Sequence, residues 1–414
     1  MSKLYTVQDG DTLQAIARRF DVTPTAIFQA SNFRSNNINI LYPGETIVIP
    51  DNPDDPTKSL EITETPEDVL GEVNQDKVYV TVDGKTFGGW TDVEIQRAID
   101  TAASGFSISA PYDPDRQELV DTFRPFAYNS CRVYIGNQLI ITGTIELLNP
   151  SLGDDSRMLN IQGRSFPGAL VDCSIDRDGW EFFGLTLGEI ARKFCEPFGI
   201  AVSLIGPDTP KQYELRPELG QQYYSFLQQV ADAYGRLITD DAQGRLVIQE
   251  FTPSSDPVAS IVEGESLLAG ASANYDGTQR FSKYMLMTQF AGVPDLNSSA
   301  SDRGVTVHRP FVRVGELAEF EDIQQAAEWQ RSRAFASSVD IQVQVRGWRH
   351  NNRYWNRGDT VTAYIPSIGI RRESLFTIAG VTFRISPSEG RVAQLRLVLP
   401  ETYTRQFPEV FPWE

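Results

Sequence analysis

The N-terminal segment, residues 1–50, has the pattern that most constrains how this chain can fold. Leu13, Ile16, Ala17 and Phe20 are spaced as one face of an amphipathic helix. A Thr-Pro pair that follows is typical of a second helix start. A Pro-Gly turn then leads into a short apolar strand, which can pair with a strand near the N-terminus. The pattern predicts a compact β-α-α-β module.

This segment resembles a LysM domain. The matching residues extend over the whole module: Tyr5, Val7, Gly10, Asp11, Thr12, Leu13, Ile16, Ala17, Val22, Ile27, Asn32, Leu41, Pro43, Gly44, Ile47, Ile49 and Pro50. The resemblance implies a groove for N-acetylglucosamine polymers such as peptidoglycan or chitin. The groove residues would come from two loops: Gly10, Asp11, Thr12, Leu13, Ile40, Leu41, Tyr42 and Pro43. Two alternatives stay open, namely that Leu13, Ile40 and Leu41 are core residues, or that the module clips one protein to another.

Residues 51–76 have the composition of a linker. They include three prolines, nine acidic residues and one lysine, and they contain no aromatic residue. Such a segment buries too little apolar surface to fold alone. Fully stretched, it would span roughly 85 Å at about 3.3 Å per residue. We therefore expect an acidic tether, part of which can become ordered along a neighbouring surface.

The remainder of the chain is predicted to be mainly β, so the fold class is α+β with a large strand content. Alternating apolar residues over 77–175 predict a first β-barrel-like domain. Residues 176–265 contain two amphipathic helices and a hairpin, which indicate a small α/β insert. Residues 266–414 return to strands and predict a second β-barrel-like domain. Within it, a helix is expected over 320–336 with Ala326, Trp329 and Arg333 on one face.

Charge and hydropathy restrict the classes of partner. The formal net charge is −18, which argues against specific nucleic-acid binding, because phosphate contacts need clustered Lys and Arg. Arg371, Arg372 and the segment 346–357 are the candidate basic patches, and a solvated face is the preferred interpretation of both. No stretch of eighteen apolar residues occurs, so we expect no membrane insertion. No signal peptide is recognisable either.

Residue patterns typical of catalytic or metal sites are not apparent. Cys131, Cys173 and Cys195 lack CxxC spacing, and we expect them to be small buried apolar residues. Neither HExxH nor a Ser-His-Asp spacing stands out around the two histidines. Asp240 and Asp241 are interpreted as turn residues rather than metal ligands. The sequence thus predicts no catalytic residue, no metal and no cofactor.

A second resemblance covers roughly residues 77–403. Its motifs are Ser225-Phe226-Leu227-Gln228, the Gly235–Gly244 hairpin, Gly347-Trp348, Trp355-Asn356, Gly358-Asp359, Pro366 and Pro400-Glu401-Thr402-Tyr403. This part is similar to the baseplate hub proteins of Mu-like contractile phages. The resemblance implies a homotrimer whose paired β-domains form a six-fold-like ring between the hexameric tail tube and the trimeric spike protein. It also implies wedge or sheath partners, assembly in the host cytoplasm and a place in the virion.

The first hypothesis is therefore a structural hub and not an enzyme, with the LysM module as a tethered docking clip or peptidoglycan contact. A LysM-targeted peptidoglycan hydrolase and a passive cell-wall-binding protein are the alternatives. The hydrolase would need two carboxylates across a cleft, and 55 acidic residues make such pairs uninformative. Trp348 and Trp355 are predicted to be structural, or else interface anchors.

Overall fold

The computed structural model describes most of the chain outside the linker and parts of the N-terminal module. The described residues are 3–8, 11–20, 27, 31, 42–49, 61–63, 76–153, 157–176, 182–212, 215–288, 296–315, 323–386, 390–404 and 412–413. Strands outnumber helices, and the mainly β prediction is confirmed. None of the helices in this part of the chain is both long and apolar enough to span a membrane.

The N-terminal module contains β1 (Lys3–Thr6), α1 (Leu13–Phe20) and β2 (Thr46–Ile49). The two strands pair antiparallel, with Tyr5 opposite Ile47. The apolar face of α1 packs on them as the 3.6-residue period predicts. Ile27, expected to point inward from the second helix, is fully buried. The predicted start of that helix at Thr23 and Pro24 lies outside the described residues.

The first β-region follows the linker strand β3 (Glu61–Thr63). Its elements are β4 (Val78–Val82), β5 (Lys85–Gly88), β6 (Asp92–Ala98), β7 (Gly105–Pro111), α2 (Gln117–Thr122), β8 (Ser130–Ile135), β9 (Gln138–Leu152) and β10 (Arg157–Ser165). Asp83 and Gly84 join β4 to β5 with φ values of 50° and 79°, the conformation that a two-residue hairpin turn requires. Apolar residues alternate inward along these strands, as predicted.

The α/β insert packs around its own core. Its elements are α3 (Gly168–Asp172), α4 (Leu187–Cys195), β11 (Val202–Ile205), α5 (Tyr223–Ala233), β12 (Leu237–Asp240) and β13 (Leu246–Gln249). A capping box at Thr186 and Glu189 begins α4. A 3₁₀ turn (Glu196–Phe198) and Gly199, at φ 67°, end it. The two helices and the hairpin predicted for this insert are present.

The second β-region contains β14 (Ala259–Val262), β15 (Leu268–Tyr275), β16 (Lys283–Thr288), β17 (Leu296–Ser301), β18 (Pro310–Gly315), α6 (Ile323–Ser337), β19 (Val339–Arg346), β20 (Arg349–His350), β21 (Arg353–Tyr354), β22 (Thr360–Ile365), β23 (Ile370–Ser386) and β24 (Gly390–Val398). Short 3₁₀ turns follow at Pro366–Ile368 and Pro400–Tyr403. Strands β16, β17 and β18 form a separate small sheet covered by α6, a subdivision that the sequence did not reveal.

The predicted orientation of α6 is wrong by about one residue. The helix occupies the expected segment, but its fully buried residues include Ala327 and Phe335 rather than the predicted set. Ala326 and Trp329 are only half-buried and Arg333 is exposed. The reason is that α6 contacts two surfaces, the small sheet at its start and the main core at Phe335, so its buried positions do not follow one stripe.

The two β-regions share one sheet and repeat one topology. The order β6-β7-β10-β9-β8 in the first region recurs as β15-β19-β24-β23-β22 in the second, in the same chain order and with all pairs antiparallel. The long strands β9 and β23 each carry one extra residue, Glu146 and Ala379, at the same step of the ladder. Strands β23 and β6 pair directly and join the regions. Among the described residues the pairings do not close into a ring within the chain.

One linker segment is ordered as a strand. Glu61–Thr63 pairs antiparallel with β5, Ile62 lying opposite Phe87, and so adds the last strand at this end of the main sheet. Residues 51–60 then separate the module from this point. At about 3.3 Å per residue they would span roughly 33 Å, well below the 85 Å expected for the entire linker.

The cysteine prediction is correct for two residues and wrong for one. Cys131 and Cys195 are buried, and burial raises the pKa of both thiols to about 12, so neither is poised to react at neutral pH. Cys173 is exposed just after α3, because that short helix ends at the surface. All three are free thiols.

Candidate functional site

The seam between the two β-regions and the insert is the most elaborate polar site in the described part of the chain. Strand β6 of the first region lies beside β23 of the second region. Asp240, at the end of β12 in the insert, contacts one residue of each region. The Asp240 carboxylate is fully enclosed. It accepts hydrogen bonds from the Ser104 N–H and the Ser104 hydroxyl, each at 2.9 Å. The three parts of the body therefore meet at one carboxylate.

Arg357 completes this site from the second β-region. Its guanidinium lies 2.7 Å from Asp240 Oδ1 and donates to the Ala98 carbonyl at 2.7 Å. Its side chain is only 7% exposed, so both charges of the pair are removed from water. A buried pair of this kind is tolerable only when hydrogen bonds satisfy the remaining donors and acceptors, which these contacts provide. The pair therefore fixes how the regions are joined.

A second arginine lies close enough to this pair for its pKa to respond to both charges. Arg97 is half-buried, and desolvation together with the nearby charge of Arg357 lowers its pKa to about 10, partly offset by Asp240 and Asp241. Loss of Asp240 would therefore leave Arg357 without its ion-pair partner and would remove one of the two carboxylates that offset the charge of Arg97.

These contacts correct two sequence interpretations. Asp240 is not a turn residue, since it is the last residue of a strand and its carboxylate is buried in an ion pair. Asp241 alone has the turn role, accepting hydrogen bonds from the Gln243 and Arg245 N–H groups at 3.0 Å each. Arg357, assigned to a solvated basic segment, is buried. In the described residues no group of three or more potential ligand side chains is close enough to hold a metal ion.

Further contacts lock the insert onto the first β-region. The Thr142 hydroxyl donates to the Ala242 carbonyl at 2.8 Å. Gly244, at φ 76°, lies so close to β9 that a Cβ atom there would be 2.5 Å from the Thr142 carbonyl. On the other side of the seam, Tyr403 donates to Asp100 at 2.8 Å, and burial raises the pKa of its phenol. Of the motifs quoted for the second resemblance, the Gly235–Gly244 hairpin and Tyr403 therefore contribute to this seam.

The outer face of the shared sheet is polar and largely uncharged. Its amide and hydroxyl residues are hydrogen-bonded across strands: Asn160 donates to Ser107 at 3.1 Å and to Ser109 at 3.0 Å, and Gln394 to Gln342 at 3.3 Å. Some charges on this face are paired, such as Arg384 with Glu94 at 3.1 Å. The face extends over both β-regions because β6 and β23 are directly paired.

Strands β9 and β15 each present an edge without a strand partner in the described structure. Strand β9 pairs with β8 only as far as Thr144, so its last residues have no partner on that side. Strand β15 pairs with β19 alone. Exposed apolar side chains mark both edges, with Leu152 80% and Tyr275 45% exposed. Single exposed residues are ordinary, but apolar residues along unpaired backbone groups indicate a contact surface.

A cleft of about 240 Å³ adjoins the free edge of β9. It is lined by Thr122–Asn129 on one side and by Ile145–Leu148 on the other. Phe126 is 88% exposed and Tyr128 64% exposed, and their φ values are 62° and 50°. Holding two non-glycine residues in the left-handed region costs on the order of 1 kcal/mol each. Exposed aromatic side chains on a strained loop are typical of a contact surface.

In the N-terminal module, five of the eight predicted groove residues are described. Asp11 accepts from the Tyr5 hydroxyl and the Gln8 N–H, both at 2.8 Å, and the latter bond contributes most to lowering the pKa of its carboxyl group. Thr12 caps α1 by accepting from the Ala15 N–H at 3.2 Å. Leu13 is only 5% exposed and belongs to the core. Gly10, Ile40 and Leu41 lie outside the described residues.

Thr12, Tyr42 and Pro43 are the exposed groove candidates among the described residues. Tyr42 is 44% exposed, and its carbonyl accepts from the Glu45 N–H in the turn that precedes β2. The side chains of Asp11 and Thr12 are already used to hold the first loop, so an exposed tyrosine is the principal stacking surface available to a ligand.

Comparison with known proteins identifies three domains. Residues 5–50 match the LysM domain, residues 77–165 the Mu phage baseplate assembly protein GpP-like N-terminal domain, and residues 167–250 the second domain of baseplate hub protein gp44-like proteins. The baseplate hub protein gp44 of Escherichia phage Mu is 24% identical over 343 residues, which cover 79% of this chain and 88% of gp44.

Solved structures agree with these matches. The 43 kDa tail protein of prophage MuSo2 from Shewanella oneidensis is 26% identical, with a TM-score of 0.69 over 79% of this chain and 99% of that protein. A tail protein from Neisseria meningitidis MC58 gives 26% identity and a TM-score of 0.69 over 80% and 99%. The prophage tail protein gp18 of Listeria monocytogenes EGD-e, at 11% identity and a TM-score of 0.51 over 78% and 94%, shares the fold. Both sequence resemblances are confirmed, and these tail and hub descriptions do not favour the hydrolase alternative.

Proposed function

We propose that this chain, a LysM domain joined to domains of the phage baseplate hub type, forms a trimeric central hub. The hub would adapt the hexameric tail tube to the trimeric spike protein. It would act without bond-breaking chemistry, assemble in the host cytoplasm and remain in the virion. The domains would be the module at 1–50, the linker at 51–76, the β-domains at 77–175 and 266–414, and the insert at 176–265, with α3 packing on the insert and β14 pairing in the second β-region across these bounds.

The observation that carries this proposal is the repeated five-strand order within one sheet. A hexameric tube offers six equivalent contacts, which three single-domain subunits cannot match. Three subunits with two equivalent β-regions present six similar surfaces in a closed ring. The buried Asp240–Arg357 pair supports this role because it holds the two regions of each subunit in a fixed relation.

The polar face of the shared sheet suits the wall of a central passage. Its amides bond to each other, and an arginine such as Arg384 is paired with a carboxylate, which keeps that cation from binding phosphate groups. DNA binding depends on such cations, and a wall without them lets a polyanion pass without being held. The strongly negative net charge of the chain acts in the same direction.

The oligomeric state tests the proposal. We expect purified protein to give the mass of three chains in solution and to appear in electron micrographs as a three-fold ring with a central hole. A species that stays monomeric over a wide concentration series, and shows no hole, would contradict the hub. A search for lysis of peptidoglycan gels by the same preparation covers the hydrolase alternative, and clearing would favour it.

The LysM module would be a tethered clip to wedge or sheath components, or a peptidoglycan contact. The groove hypothesis predicts that Tyr42→Ala lowers retention on insoluble peptidoglycan about tenfold, because loss of one aromatic stacking surface costs roughly 1–1.5 kcal/mol. Leu4→Ala is the matched control, since Leu4 is 75% exposed on β1 and lies outside both groove loops. Equal retention of both variants would remove Tyr42 from the groove and favour the clip.

A further inference from the structure

The seam inside the chain provides a template for a seam between chains. Strands β9 and β23 occupy the same position in the two β-regions, as do β6 and β15. Strand β22 is the counterpart of β8 and pairs with the first half of β23. Strand β6 pairs with the second half of β23 on the same edge. Strand β9 likewise pairs with β8 along its first half, but its second half has no strand partner on that edge among the described residues. In the same part of the chain the counterpart of β6, which is β15, also lacks a strand partner on one edge.

We propose that the free edge of β9 pairs antiparallel with the free edge of β15 in a neighbouring copy of this chain. The inference rests on the proposed ring and specifies the contact that closes it. The sheet already continues from one region to the next within a chain through β23 and β6. The same pairing between chains would make it continuous around the ring and would leave neither of these two edges exposed.

The shared bulge fixes the register of this contact. Setting Glu146 equivalent to Ala379 makes Leu148, Asn149, Pro150, Ser151 and Leu152 equivalent to Val381, Thr382, Phe383, Arg384 and Ile385. The ladders of β7 and β19 make Ala271, Ser272, Ala273, Asn274 and Tyr275 equivalent to Val93, Glu94, Ile95, Gln96 and Arg97. The pairs of β23 with β6 then predict the following partners between copies: Leu148 with Tyr275, Asn149 with Asn274, Pro150 with Ala273, Ser151 with Ser272, and Leu152 with Ala271.

The chemistry of both edges agrees with this register. Leu148, Ala271 and Ala273 already pack partly against the main core, so their side of the strands faces inward. Leu152 is on the same side as Leu148, yet it is 80% exposed. Pairing would cover Leu152 and Tyr275 and extend the core between copies. Asn149, Ser151, Ser272 and Asn274 would continue the uncharged polar face, which therefore has no break at the contact.

The cleft beside β9 has a predicted occupant in the same scheme. Within the chain, Ile99, just after β6, donates its N–H to the Ala379 carbonyl at 2.9 Å, and Arg357 holds Ala98 from the other side. The residues equivalent to Ala98 and Ile99 are Asp276 and Gly277, which follow β15. In the neighbouring copy they would enter the cleft between Ile145–Leu148 and the loop with Phe126 and Tyr128. The strained aromatic loop would then be a clamp over an incoming strand.

Cysteine cross-linking tests the register directly. In a Cys173→Ser background, Ser151→Cys with Ser272→Cys should give covalent multimers on oxidation that a reductant reverses. Opposed Cα atoms in an antiparallel pair lie roughly 4.5–5.5 Å apart, within disulfide range. The matched control combines Ser151→Cys with Ser260→Cys, because Ser260 is an exposed serine on β14, another strand with one neighbour. We expect no multimers from the control pair.

A charge variant provides a second readout. Leu152→Asp should weaken association about 10- to 100-fold, since an interfacial leucine contributes about 1.5–3 kcal/mol when buried. Val314→Asp is the control, as Val314 is 60% exposed on the small sheet and takes no part in the contact. Two results would overturn the edge pairing and leave the hub intact. One is a trimer that cross-links only through Ser260→Cys, and the other is a trimer whose association neither Leu152→Asp nor Val314→Asp weakens. A persistent monomer without any cross-link would overturn both.

Discussion

Asp240→Ala is expected to lower the free energy of unfolding by about 3–5 kcal/mol, the usual cost of removing one partner from a buried ion pair. The guanidinium of Arg357, 2.7 Å away and 7% exposed, would remain enclosed without a counter-charge. Ser104 would lose the acceptor of both its N–H and hydroxyl groups, and the half-buried Arg97 would lose one of the two carboxylates that offset its charge. Urea denaturation followed by circular dichroism would measure the difference.

Asp241→Ala is the control for this prediction. The two aspartates are neighbours, but Asp241 pairs with an exposed arginine and supports only the hairpin turn, so about 1 kcal/mol is expected. The double variant Asp240→Ala with Arg357→Ala should lose less stability than the sum of the single losses. The reason is that Arg357→Ala removes the guanidinium charge that Asp240→Ala leaves buried and unpaired. Equal effects of Asp240→Ala and Asp241→Ala would show that the pair does not hold the seam.

The sequence was sufficient for features that depend on short spacing. The LysM module was predictable because the residues that determine its helix face, helix caps and turn all lie within fifty residues of sequence. The hairpin at Asp83 and Gly84 and the end of α4 at Gly199 needed only local conformational preferences. In each case one residue type at one position determines the local backbone.

Long-range pairing explains what the sequence did not reveal. The direct pairing of Phe383 with Ile95 joins strands almost three hundred residues apart, and no alternation within either strand specifies it. The same limit applies to Arg357 and Asp240, which were interpreted as surface residues because charge and turn preference favour exposure in isolation. Among the predicted groove residues, Leu13 shows a different ambiguity, because a leucine on a helix face fits both a core position and a groove position until its burial is known.

The equivalence of the two β-regions also depends on positions that composition does not reveal. Glu146 and Ala379 share a bulge but differ in charge and size, and Pro150 stands where Phe383 stands in the other region. Sequence similarity between the halves is therefore weak at the contact that matters most to the proposed ring. What the halves share is strand order and register, which are properties of pairing partners rather than of single residues.

Trp348→Ala is expected to lower the free energy of unfolding by about 3–5 kcal/mol, as for other large buried side chains replaced by alanine. Trp348 is 1% exposed and packs edge-on against Phe383 with ring centroids 5.6 Å apart. Its indole N–H is shared between the carbonyls of Arg384 and Val392, at 3.1 and 3.0 Å, and so links β23 to β24. Loss of soluble trimer should accompany the loss of stability, because β23 carries the seam.

Phenylalanine replacements separate the hydrogen bond from the packing. Trp348→Phe keeps an aromatic ring but leaves two buried carbonyls without their donor, which costs about 1–3 kcal/mol beyond the change in volume. Trp355 is similarly buried, at 3% exposed, and stacks on His350, yet its indole N–H finds no acceptor among the described residues. Trp355→Phe therefore changes volume alone and should be the milder of the two in the same denaturation assay. A larger loss for Trp355→Phe would mean that stacking, and not the bond across β23 and β24, is what these tryptophans contribute to the body.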